Sequence, residues 1–130
     1  MQHRMITGEL HMNTSFIIQN ATNIKRELTD KATHAANEML HRMGGDNGCC
    51  GFAWVTIHPE HKGNTKLGKA ERRSFEALGA TKDHTGKAWQ IWKPGHVHVQ
   101  SILVLEAGAN AAAKVLTSYG LTAYGNSRVD

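Results

Sequence analysis

The chain has 130 residues, with 15 Lys plus Arg, 11 Asp plus Glu and 9 His, and is 40% hydrophobic and 20% charged, an ordinary globular composition with room for one domain over 1–130. No stretch approaches the roughly 18 apolar residues of a membrane span. Met1–Glu9 carries no apolar secretory run, and the adjacent Cys49 and Cys50 cannot staple a disulfide scaffold. A domain of the cytoplasm with no membrane partner is expected.

The net charge of +4 is localised. Residues 1–57 and 96–130 are each neutral, whereas 58–95 set Lys62, Lys66, Lys69, Arg72, Arg73, Lys82, Lys87 and Lys93 against Glu60, Glu71, Glu76 and Asp83. A concentrated excess points to an anionic partner more than the same charge spread evenly would.

In chain order, residues 1–12 show no period and read as an arm. Asn13-Thr14-Ser15 offers helix caps, and Ile17, Ala21, Ile24, Leu28, Ala32, Ala35, Met39 and Met43 recur at three and four. One long helix is therefore predicted over 13–43, closed by Gly44-Gly45. Cys50–Ile57 is apolar and aromatic on both alternating faces and predicts a central strand covered on both sides. His58-Pro59 ends it. Asn64 or Thr65 caps a helix to Leu78, with Leu67, Ala70, Phe75 and Leu78 inward and Lys62, Lys66, Lys69 and Arg73 on one basic face. A short strand at Ala80–Lys82, a turn at Asp83–Gly86 and a strand at Lys87–Trp92 follow. A third helix runs from Val99 to Tyr119, then a short strand at Leu121–Tyr124 and a polar tail over 125–130.

The predicted class is α+β: a long N-terminal helix followed by β-α-β-β-α-β, the ferredoxin-like split β-α-β arrangement. If Ala80–Lys82 is not a strand, a three-stranded β-α-β-α-β sheet is the alternative.

The segments Cys50-Gly51-Phe52-Ala53-Trp54-Val55, Lys62-Gly63-Asn64-Thr65-Lys66, Trp92-Lys93-Pro94-Gly95 and Ser127-Arg128-Val129-Asp130 resemble a family of small proteins of tailed phages and viral metagenomes. The resemblance covers roughly residues 48–130. It departs at Val129 and at His96-Val97-His98, where relatives are often rich in Gly and Asn. The family has no established activity, so no catalytic residue is carried over. The resemblance implies phage origin and action in the cytoplasm of an infected bacterium.

Gly63–Ala70 approaches the phosphate-binding loop G-x-x-x-x-G-K-[ST], but Ala70 stands where a hydroxyl should hold magnesium. Nucleotide hydrolysis is not expected there; a phosphate at the helix N-terminus is. His58, His61, His96 and His98, with Cys49 and Cys50, are candidate metal ligands by residue type, although no complete zinc motif is present. The vicinal thiols read as small buried residues. Trp54 and one of Trp89 and Trp92 read as core, and the remaining tryptophan as a stacking surface for a base. No nucleophile or carboxylate constellation is complete, so an enzyme is not favoured and no cofactor is expected.

The functional expectation is a phage accessory protein binding a phosphate-bearing nucleotide ligand, or a host factor, in the service of countering host defence. Lys62, Asn64, Lys66, Lys69 and Arg73 would contact phosphate, Trp92 a base, and Arg128 would act as a clamp. The alternatives are a nucleic-acid-binding module, and a virion or interaction component forming a homo-oligomer through helix 14–43, with Ile17, Ile24 and Leu28 at its seam.

Overall fold

The computed structural model describes residues 13–130, so the arm read over 1–12 lies outside the described residues. Two helices, α1 (Thr14–Gln19) and α2 (Ala21–Met43), replace the single helix expected over 13–43. The Asn13 side chain caps α1 by accepting from the Phe16 N–H at 3.0 Å. The interruption falls at Asn20, whose φ of −112° and ψ of 16° leave the helical region. Its side-chain Nδ2 donates to the Phe16 carbonyl at 2.9 Å, competing locally with the regular ladder. Gly44, at φ 73°, ends α2 in the left-handed cap its sequence predicts.

The remaining elements are β1 (Gly51–His58), α3 (Lys66–Ala77), β2 (Thr81–Lys82), β3 (Trp89–Trp92), α4 (Ile102–Ser118) and β4 (Thr122–Val129). They form an α+β unit with one four-stranded antiparallel sheet in the order β2-β3-β1-β4. Thr81 and Lys82 pair with Gln90 and Trp89, which excludes the three-stranded alternative. Between β2 and β3, Asp83 Oδ1 accepts from the Thr85 hydroxyl at 2.7 Å and the Thr85 N–H at 3.0 Å, forming the predicted turn. The Thr85 hydroxyl is the main influence holding the Asp83 carboxyl below the usual carboxylate range.

The largest departure from sequence expectation is β4. Residues 125–129, read as a polar tail, continue the strand and pair with β1 as far as Gly51↔Val129. An edge strand with polar side chains lacks the hydrophobic alternation that marks a half-buried strand, which is why the segment reads as loop.

The core lies under one face of the sheet. Ala53, Val55 and Ile57 of β1 meet Ile17 of α1, Ile24 and Leu28 of α2, Phe75 of α3 and Leu116 of α4. The residues assigned to an oligomer seam, Ile17, Ile24 and Leu28, are therefore buried within their own chain. An oligomer built on them would have to open this core. On α3 the expected inward Leu67 is instead 61% exposed, and Glu71 takes the buried position. Among the described residues, no helix is long and apolar enough to cross a membrane.

Candidate functional site

The opposite face of the sheet is built from the even-numbered residues of β1 and their cross-strand partners, because side chains alternate along a strand and paired residues share a face. The register aligns Phe52 with Arg128, Trp54 with Asn126 and Trp92, Thr56 with Tyr124 and Gln90, and His58 with Thr122. Thr81 extends the row through its pairing with Gln90.

The hydrogen bonds and ring contacts described for this face run between strand residues, apart from Thr122 Oγ1 donating to Glu60 at one end. Trp54 and Trp92 stack at 4.7 Å between centroids, and the Arg128 guanidinium lies 5.6 Å from the centre of the Phe52 ring. His58 Nε2 and the Tyr124 hydroxyl share a 2.7 Å hydrogen bond, and Asn126 Nδ2 donates to Thr56 Oγ1 at 2.7 Å. Trp92 and Tyr124 each remain 45% exposed.

These contacts correct the reading of the strand as covered on both sides. Its odd positions enter the core, whereas Phe52 and Trp54 are only half-buried. Trp54 is thus a member of an aromatic surface, while Trp89 is the core tryptophan, edge-on to Phe75 at 5.7 Å between centroids. Thr81, His58, Gln90, Thr122 and Asn126 supply uncharged or histidine polarity and Arg128 a cation, while Thr56 on the same face is buried beneath its neighbours. Among these sheet positions there is no carboxylate; Glu60 and Asp130 stand beyond its ends.

The basic cluster predicted on α3 is real but separate. Lys62, Asn64, Lys66, Lys69 and Arg73 are exposed. Trp92 and Arg128 lie on the sheet face instead, and Arg128 pairs with Phe52, near the end of β1 opposite the loop that carries Lys62. The predicted contacts therefore divide between two places, Trp92 and Arg128 on the sheet face and the other five on α3 and the loop before it.

The helix N-terminus is also already organised by the protein. Thr65 Oγ1 accepts from the Gly68 N–H at 3.0 Å, and Arg72 Nη1 donates to the His61 carbonyl at 3.0 Å and the Gly68 carbonyl at 2.9 Å. Glu71, 1% exposed, accepts from the backbone N–H groups of Glu60 at 2.9 Å and His61 at 2.8 Å, and lies 3.1 Å from His61 Nδ1. The preceding loop is therefore folded around its own carboxylate, and its Glu60 and His61 amides are engaged. Glu71→Gln is expected to cost about 1–2 kcal/mol, because an amide offers the loop one acceptor oxygen rather than two. Chemical denaturation would register a lower midpoint; an unchanged midpoint would contradict this role.

The two histidine pairs, candidate metal ligands by residue type alone, are not brought together. His58 and His61 follow the end of β1, whereas antiparallel β3 returns His96 and His98 toward its start, where Gly51 N–H meets the Gln100 carbonyl. Seven residue steps of β1 separate those ends by about 23 Å. Among the described residues, no group of three or more His, Cys, Asp or Glu side chains could hold a metal ion. Both Cys49 and Cys50 are exposed rather than buried.

A hollow lined by Ala36, Ala53, Pro94, Leu105 and Gly108 measures about 20 Å³, room for a water but not a nucleotide. Open grooves of about 330–620 Å³ lie elsewhere on the surface, but the sheet face is where aromatic rings and a cation are gathered for a larger ligand. Phe52 and Tyr124 join the tryptophans there through a register between strands distant in sequence, which local pattern does not reveal. Comparisons with protein families, curated proteins and solved structures find no match for this chain.

Proposed function

We propose that the protein binds single-stranded nucleic acid across this sheet face, on an arrangement of the ferredoxin-like split β-α-β kind. The carrying observation is the placement of Phe52, Trp54, Trp92, Tyr124 and Arg128 on one face with cross-strand registry. Bases offer apolar π-faces to rings, while Arg128 offers a cation to the phosphodiester backbone. Lys93, exposed directly after Trp92, adds positive charge at the rim; its φ of 46° lies in the left-handed region that non-glycine residues rarely enter. The open shape favours a strand laid over the face rather than an enclosed mononucleotide. The basic α3 surface supplies long-range attraction in this reading. Phage origin, location in a host cytoplasm and interference with host defence are proposals resting on the sequence resemblance.

Fluorescence anisotropy with labelled single-stranded RNA and DNA oligonucleotides tests this function. Trp92→Ala is expected to weaken binding about 10- to 100-fold through loss of stacking. Arg128→Ala is expected to weaken it more uniformly and reduce the magnitude of the logarithmic salt slope by about one. Binding unaffected by Trp92→Ala but abolished by Lys66→Glu and Lys69→Glu would transfer the site to α3. Absence of binding to every oligonucleotide would overturn the proposal.

A further inference from the structure

Gln90 occupies a position on the sheet face where stacking alone gives it no necessary role. Its Oε1 accepts from Trp92 Nε1 at 2.9 Å. The identity of that amide oxygen follows from chemistry: an indole N–H only donates, so the carbonyl must face it. The amide NH₂ is consequently directed away from Trp92, and among the described residues Gln90 Nε2 meets no hydrogen-bond acceptor. Gln90 is half-buried on the open face, opposite Thr56 on β1 and Thr81 on β2. One bond thus both orients the exposed indole and fixes two amide donors beside it.

We infer that Gln90 is a specificity-determining residue that selects a keto base, uracil, thymine or guanine, over an amino base at the position stacked on Trp92. This inference rests on the single-stranded nucleic-acid reading above. A base lying against the outer face of the indole would bring its edge toward the neighbouring amide. The keto oxygen at pyrimidine position 4 or purine position 6 accepts from that NH₂. The amino group of cytosine or adenine at the same place opposes donor with donor. Discrimination comes partly from attraction to one edge and partly from an unpaired donor contact with the other.

Oligo(U) and oligo(C) of equal length provide the test, since they carry the same phosphate charge and differ at pyrimidine position 4 and in N3 protonation. The unaltered protein is expected to bind oligo(U) about fivefold or more tightly, the scale of one net hydrogen bond. Gln90→Glu retains an oxygen for Trp92 Nε1 but presents an acceptor outward, and is expected to reverse the ratio even if its charge weakens both complexes. Gln90→Leu is expected to remove the preference without reversing it. Equal affinities in the unaltered protein, a preference for oligo(C), or an oligo(U) preference retained in both variants would overturn the inference. If Trp92→Ala still weakens both oligonucleotides in those cases, the broader binding proposal survives. Binding indifferent to Trp92→Ala would overturn both.

Discussion

Gly68→Ala is expected to destabilise the protein by about 3 kcal/mol, although alanine is ordinarily the better helix former by about 1 kcal/mol. Gly68 lies in the first turn of α3, with its N–H bonded to the capping Thr65 hydroxyl. A Cβ added there would stand 1.8 Å from the Lys62 carbonyl oxygen and 2.6 Å from the carbonyl carbon. That carbonyl is fixed by the Thr65 N–H at 3.1 Å and the Thr65 hydroxyl at 2.6 Å, so the obstacle is backbone in a bonded turn. Relief requires breaking the cap or displacing the 59–65 loop from Glu71. Thermal unfolding would fall by about 10 °C for the predicted loss. A stabilised or unchanged Gly68→Ala variant would show that helix propensity outweighs this close approach. The glycine that helps the sequence resemble a phosphate-binding loop thus has a steric reason to be there.

That dual reading explains what sequence could and could not convey. Three- and four-residue spacing located α2, and glycine after Met43 located its end. Local periodicity did not distinguish Ala35 from the more deeply buried Ala36, since they follow buried Ala32 by three and four residues and either spacing continues an apolar stripe. In β1, a run apolar or aromatic on both alternating faces identified a strand but did not distinguish a covered aromatic face from an open one. Trp54 is equally suitable for either by composition. The distinction comes from β4, whose polar residues look like a tail in isolation but bring Arg128 opposite Phe52 and Asn126 opposite Trp54. Charge counting found the basic α3 surface because its residues are local in sequence. The sheet platform was less legible because it joins residues from β1, β3 and β4.

A second large effect is expected from Ala32→Leu at the packing of α2 against α4. Ala32 is fully buried, and the packing tolerates little additional volume. A Cβ built on Gly108 would lie 3.2 Å from the Ala32 carbonyl oxygen, while one on Gly95 would lie 3.3 Å from the Ala32 Cβ. Small residues therefore let α2 approach both α4 and the segment after β3, where His96 N–H donates to Thr33 Oγ1 at 2.9 Å. The three additional carbons of leucine have to displace one of these partners. A loss of about 3 kcal/mol is expected, near the upper part of the usual overpacking range. Ala35→Leu is the discriminating control: half-buried Ala35 borders the outer groove with Ala111 and Lys114, and its substitution is expected to change stability by less than about 1 kcal/mol. Denaturation midpoints, with helical circular dichroism followed throughout, would compare the two. Equal losses would mean that general helix crowding, rather than the close α2–α4 approach, governs the response; a neutral Ala32→Leu would show that α2 can shift freely. If the close approach controls stability, Ala32→Leu should remove far more stability than its neighbour on the same helix.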